Sequence, residues 1–213
     1  MSSTERAGPR IGRRPSTTRG RISDIGIELF STRGFDETSV DEIAEAAGIA
    51  RRTFFRYFPS KNAVPWGDFD AHLDAMREML RELPDDVPLA NGLSSALLSF
   101  NSFPPAEAAT HRKRMELILR VPALQGYSMV MYEGWRQVIA DYVSARMRCE
   151  PGDLLARTVG WTMLGAAISA YEQWLTDDEL ELPELLTAGT RTLRDGLSSL
   201  DALADASGDP AAS

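Results

Sequence analysis

Residues 39–61, SVDEIAEAAGIARRTFFRYFPSK, decide how this chain is read. Their spacing predicts two short helices joined by a tight turn, the second carrying Arg51, Arg52, Thr53 and Arg56. Ser39 followed by Glu42 is a capping box, in which the hydroxyl accepts an orphan N–H and the carboxylate reaches back to the cap. Val40, Ile43, Ala44 and Ala47 repeat at three and four residues as an apolar face. Gly48 then ends the helix, because glycine takes a left-handed conformation without steric cost. At about 100° per residue, Phe54 and Phe58 of the second helix point inward. Arg52, Thr53, Arg56 and Tyr57 face out, with Arg51 and Phe55 on the flank. A braced helix presenting arginines and a hydroxyl is built to enter a DNA major groove. Upstream, Ile22, Ile25, Gly26, Leu29 and Phe30 predict a first helix that closes a three-helix module, broken off at Gly34 and Phe35.

Phe35, Ser39-Val40-Asp41-Glu42-Ile43-Ala44, Gly48-Ile49-Ala50 and Phe55-Arg56-Tyr57-Phe58-Pro59-Ser60-Lys61 fall in register with a discontinuous pattern. On these residues the module from about Arg19 to Lys61 resembles the TetR family of transcriptional regulators. The chain departs from that family's pattern in three places. Ala50 lacks a capping hydroxyl, Phe55 lacks a phenol, and Tyr57 stands where histidine is common. The resemblance implies DNA contacts from Thr38, Ser39, Arg51, Arg52, Thr53, Phe55, Arg56, Tyr57 and Lys61. Arg52, Thr53 and Arg56 are expected on base edges, and Arg51, Tyr57 and Lys61 on the DNA backbone. RRTFFRYFPSKNAVPWGDFDAHL and VPALQGYSMVMYEGWRQVIADYV resemble, more narrowly, regulators of mycofactocin systems within that family.

The net charge of −8 argues against nucleic acid until its distribution is examined. Residues 1–61 carry 11 Lys/Arg against 8 Asp/Glu, whereas residues 62–213 carry 12 against 23. Positive charge sits on the docking module, and the acidic remainder is held away from phosphate. The first 21 residues hold six arginines and Glu5, with no apolar core, so no signal peptide is expected. This Gly-, Pro- and Arg-rich arm either follows the DNA backbone into an adjacent minor groove or stays solvated; the residues leave both open. The lone Cys149 excludes an internal disulfide framework and suits a reducing cytoplasm. The longest apolar stretch, Val159–Tyr171, is 13 residues, short of the roughly 20 that a bilayer span needs.

The remainder reads as helices over about 62–83, 89–103, 106–121, 123–147, 153–175 and 183–203, separated by proline, glycine and aspartate breaks. The helix from Asn62 to Leu83 is expected to run unbroken from the module into the body. The chain is therefore expected to be all-α, with about nine helices. A basic flexible arm at 1–18 precedes a helix-turn-helix domain at 19–61, a ligand-binding and dimerisation domain at 62–205, and a disordered tail at 206–213.

Small residues Gly165 and Ser169, and the seam Leu186, Gly189, Leu193, Gly196 and Leu200, suit a four-helix interface between two copies. Ordinary packing within one chain is the competing explanation, and the resemblance favours the homodimer. Phe100, Phe103, Met115, Leu119, Tyr127, Met129, Met131, Trp135, Trp161 and Leu164 suit an apolar chamber. For any single one of them, plain core packing is the better explanation; as a group they suit a chamber. The resemblance implies a small-molecule effector, with a fatty acyl-CoA as the first candidate. The cluster His111, Arg112, Lys113, Arg114 either meets an anionic head group or forms a solvated face.

Enzymatic chemistry finds no footing in the sequence. Gly126-Tyr127-Ser128-Met129-Val130 lacks the second glycine and preceding strand of a nucleophile elbow. His72 and His111 are the only histidines, and no metal-ligand spacing or phosphate-cradling loop occurs, so no cofactor is expected. The expected function is a dimeric repressor that binds a palindromic duplex operator and is released by an apolar or amphipathic effector. The alternative is a small-molecule-binding or protein-interaction module with a vestigial helix-turn-helix. Arg51, Arg52, Arg56 and Lys61 speak against it.

Overall fold

The computed structural model describes residues 18–196, and the expectations for the basic arm, the C-terminal tail and Leu200 fall outside them. Among the described residues the fold is all-α, with nine α-helices and no strand. The first three are α1 (Arg19–Arg33), α2 (Val40–Ala46) and α3 (Arg51–Tyr57). Ser39 and Glu42 form the expected capping box at the start of α2. At its end, the Ile49 N–H donates to the Ala44 carbonyl and the Gly48 N–H to that of Glu45. That double closure needs the left-handed Gly48, φ 68°. Phe54 and Phe58 are buried with Ile22, Ile27, Phe30 and Ile43, although Phe58 already lies one residue past the end of α3.

The link to the body is not the continuous helix expected from Asn62 onward. Lys61–Trp66 forms a short 3-10 turn containing Pro65. Gly67 follows at φ 55°, and only then does α4 (Phe69–Glu82) begin. The physical cause lies in Val-Pro-Trp-Gly: Pro65 has no N–H to continue a ladder, and the backbone at Gly67 is one that a side-chain-bearing residue adopts only under strain. Ala63 and Val64, on one side of the break, pack into the core of the head, while Trp66 packs into that of the body.

The body comprises α4, α5 (Leu89–Phe100), α6 (Ala108–Arg120), α7 (Pro122–Met147), α8 (Leu154–Trp174) and α9 (Leu182–Asp195). Its core gathers Leu73, Met76, Leu97, Trp135, Ile139 and Trp174, among others. The head does not close its own core. Leu117 of α6 and Leu124 of α7 are buried in the head cluster. The Ser23 hydroxyl, also buried, donates to the Val64 carbonyl at 2.7 Å. Gly26 of α1 lies so close to Val64 that a Cβ there would collide with the valine side chain. The head is thus held to the body by a packed seam of α1, the 3-10 turn and α6.

Candidate DNA-reading face and ligand cavity

On α3 the arginines are in different states. Arg51 pairs with Asp41 at 2.7 Å and lies over the Phe55 ring, and Arg56 lies over the Tyr57 ring. Arg52 is exposed and, among the described residues, makes no hydrogen bond or ion pair. Thr53 is half-buried and Phe55 is 43% exposed. The capping hydroxyl of Ser39 is occupied by Glu42, whose carboxyl is held below its usual range by the Ser39 N–H and hydroxyl.

Two expected DNA contacts have structural work instead. Thr38 is buried, its hydroxyl donating to the Gly34 carbonyl at 2.8 Å. The Lys61 ammonium donates to the carbonyls of Phe35, Asp36 and Thr38 at 2.8, 3.4 and 3.0 Å, and sits 4.4 Å from the centre of the Phe35 ring. All three protons are committed to the turn between α1 and α2. Lys61 therefore braces that turn rather than standing free on the surface of the head.

The body holds a cavity of about 460 Å³, lined from six helices and the 3-10 turn. Phe100, Phe103, Met115, Trp135 and Leu164 line it as expected. Leu119, Tyr127 and Met131 do not, being half-buried in apolar packing elsewhere. Met129 points to solvent. Trp161 is 45% exposed, stacked 3.7 Å from the Arg136 guanidinium on the outer face of α8.

The polar part of the wall was mostly missed by sequence reasoning. Tyr171 donates to Asn101 Oδ1 at 2.8 Å, an orientation fixed by Asn101 Nδ2 donating to the Leu97 carbonyl. Its single proton being spent, Tyr171 accepts from His111 Nε2 at 2.8 Å, so His111 is the neutral Nε2–H tautomer. Burial, aided by the nearby Arg114 charge, pushes His111 down to about 3. Burial also raises the Tyr171 phenol, and pushes that of Tyr132 up to about 12. Trp66 Nε1 and Tyr132 Oη, both on lining residues, are buried and meet no acceptor at hydrogen-bond geometry among the described residues. Of the expected basic cluster, His111 and Arg114 line the cavity. Arg112 is tied to the Trp174 carbonyl and Asp178, and Lys113 to Glu28.

The expected dimer residues also divide. Leu186 is buried within its own chain, and Gly189 packs against Ala166 of α8, so both serve the α8–α9 contact. Gly165, Ser169 and Leu193 are exposed, and Gly196 ends α9 at φ 76°.

Comparison with known proteins resolves the lineage. The sequence pattern of the bacterial regulatory proteins of the tetR family matches residues 22–64, and that of the MftR C-terminal domain matches residues 87–198. A Mycobacterium tuberculosis protein named as a mycofactocin biosynthesis transcriptional regulator, MftR, is 52% identical over 192 residues, 90% of this chain and 97% of the relative. The chain belongs to the TetR family. It is a transcriptional regulator with a helix-turn-helix head, and among its described residues no helix is long and apolar enough to cross a membrane. Thermus thermophilus FadR, a TetR-family repressor solved with lauroyl-CoA, is 26% identical, with a TM-score of 0.55 over 84% of this chain and 94% of that one. The fatty acid degradation regulator FadR of Bacillus halodurans shares the fold at a TM-score of 0.63, with 18% identity over 87% of this chain and 98% of its own.

Arg52→Ala is expected to leave thermal stability unchanged while costing about 1–3 kcal/mol of affinity at one base pair per half-site. Lys61→Ala is expected to lose about 1.5–3 kcal/mol of stability, because the hydrogen bonds from its charged ammonium disappear. Parallel melting curves and binding to a randomised-site library separate the two; equal melting temperatures would return Lys61 to the DNA-facing set. The depressed His111 pKa gives a second expectation. Its stabilising contribution is complete above about pH 6.5 and is lost as pH falls towards 3, with a limiting slope of about 1.4 kcal/mol per pH unit. His111→Gln, which keeps a donor for Tyr171, should flatten denaturation midpoints measured between pH 7.5 and 5.

Proposed function

We propose that this TetR-family regulator is a homodimeric repressor that binds a palindromic operator and is released when an apolar or amphipathic effector, of the fatty acyl-CoA type, fills the cavity. The observation that carries the reading is the placement of the cavity. Trp66 and Gly67, at the break between head and body, form part of its wall together with Asp24 of α1. An occupant therefore touches the elements that set the position of α3. Two heads in successive major grooves must stay about 34 Å apart, so a displacement of a few Å at each loses the site. The effector acts by favouring the spacing that does not fit DNA.

The wall suits an acyl chain along Phe100, Met115, Ile118 and Leu164, and Trp66 Nε1 and Tyr132 Oη offer donors to a carbonyl oxygen. The lauroyl-CoA complex of the T. thermophilus relative supports that chemistry. The mycobacterial relative supports control of a mycofactocin-type gene cluster. Acting on bacterial DNA, the regulator would work in the cytoplasm. For the dimer, α8 and α9 offer an outer face holding Trp161, Gly165, Ser169 and Leu193. Exposed Arg52 favours a working head over a vestigial one.

The test is release of a selected operator fragment by a panel of acyl-CoAs. Phe100→Ala is expected to shift the releasing concentration about tenfold or more, as removal of a buried ring does, whereas Met129→Ala on the solvent face should not. If no amphiphile releases DNA, the effector reading fails. Space over Gly165 is open within one chain. Gly165→Arg should therefore fold, sediment as a monomer and lose operator binding; an unchanged dimer would move the interface elsewhere.

A further inference from the structure

Arg114 of α6 and Asp24 of α1 meet across the head–body seam, and both face the cavity. Their closest approach is 3.5 Å, long for a charge-assisted contact. Arg114 Nε is buried and has no hydrogen-bond partner among the described residues, although the guanidinium is mostly enclosed. Burial lowers the pKa of Arg114 and raises that of Asp24, so both ions are underpaid in solvation. Glu107 also favours the Arg114 charge, but from beyond ion-pair distance. His111 is neutral, Arg112 and Lys113 are committed elsewhere, and Glu107 lines the cavity without an ion pair to Arg114. The Asp24 side chain is 60% exposed, so it can leave for water at little cost. A largely enclosed cation whose ion pair is long has a strong demand for a better anion.

We infer that Arg114 anchors the anionic group of the cavity's ligand, a carboxylate or phosphate carried on an apolar tail, and that this group displaces Asp24. The inference rests on the cavity being the effector site. The exchange conserves charge: one anion replaces another at the guanidinium, and the Asp24 carboxylate turns to solvent. What is lost is the ion pair that ties α1 to α6 on the cavity side. The Lys113–Glu28 bridge, at 2.6 Å and outside the cavity wall, stays closed. The seam is thereby loosened on one side only, which tilts the head. By linkage, whatever strengthens the pairing of Asp24 with Arg114 weakens the ligand by the same factor.

The test uses the full chain and three probes, palmitate, palmitoyl-CoA and uncharged methyl palmitate, with affinities from calorimetry and DNA release on an operator selected from a random pool. Asp24→Asn removes the competitor. It is expected to tighten the charged probe that reaches Arg114 roughly five-fold or more and to weaken ligand-free DNA binding. Arg114→Met should abolish the preference for charged over uncharged probes, and adding Asp24→Asn to it should change ligand affinity no further. Arg114→Lys serves if the methionine variant does not fold, with a weakened but surviving preference expected. Whether palmitate or palmitoyl-CoA shows the Asp24 effect identifies carboxylate or phosphate as the anion. Charged-probe affinity unchanged or reduced in Asp24→Asn, or methyl palmitate binding wild type as tightly as the charged probes, overturns the anchor while leaving the effector reading intact. Failure of all three probes to bind sinks the effector reading itself.

Discussion

Pro65 and Gly67 break the helix between head and body, and the way the two halves are joined depends on that break. A continuous rod would carry motion along its axis. Here the head rides instead on a side-by-side contact of α1 with α6 and the 3-10 turn, fixed by the buried Ser23–Val64 hydrogen bond and the close approach at Gly26. Packed surfaces of this kind shift between discrete arrangements rather than bending continuously, because interiors are near close packing. The cavity opens against that contact, sharing Asp24 and Trp66 with it.

The sequence made the head legible because its signals are local. A capping box, a left-handed glycine and a phenylalanine pair each act over a few residues, and α1 to α3 followed from them. The break at Pro65 was equally local, yet the apolar periodicity on either side of it masked the proline. Lys61 misled for a different reason. A lysine at the end of a basic helix looks like a phosphate contact, and only the fold brings the carbonyls of Phe35, Asp36 and Thr38 around it.

In the body, aromatic and methionine content marked the right region but could not separate wall from filler. Phe100 and Trp135 face the cavity, whereas Trp161, of similar character, lies on the outside of α8. The polar wall was invisible for a plainer reason. Asp24 comes from the head, Asn101 from the end of α5 and Tyr171 from an apolar stretch of α8, so no spacing joins them. Charge partition, in contrast, was read directly, since a basic N-terminal arm and a charge-balanced head ahead of an acidic body are properties of composition. The structure adds that few of the head's cations are unengaged. Among the described residues, Asp41, Glu42 and the carbonyls around the Lys61 ammonium hold Arg51, Arg33 and Lys61 in place, leaving Arg52 most open on α3.

The borrowed core of the head also sets an order of assembly. Domains emerge from the ribosome N-terminus first and generally fold as units during synthesis. In this chain the head leads, but Leu124, which fills its core, is made 60 residues after Val64. Until α6 and the start of α7 have emerged, Ile22, Phe30, Phe54 and Phe58 surround an incomplete interior. The head therefore completes its packing late, together with the cavity beside it, and a truncated product ending before α6 would carry α1 to α3 without Leu117 and Leu124 to close their core.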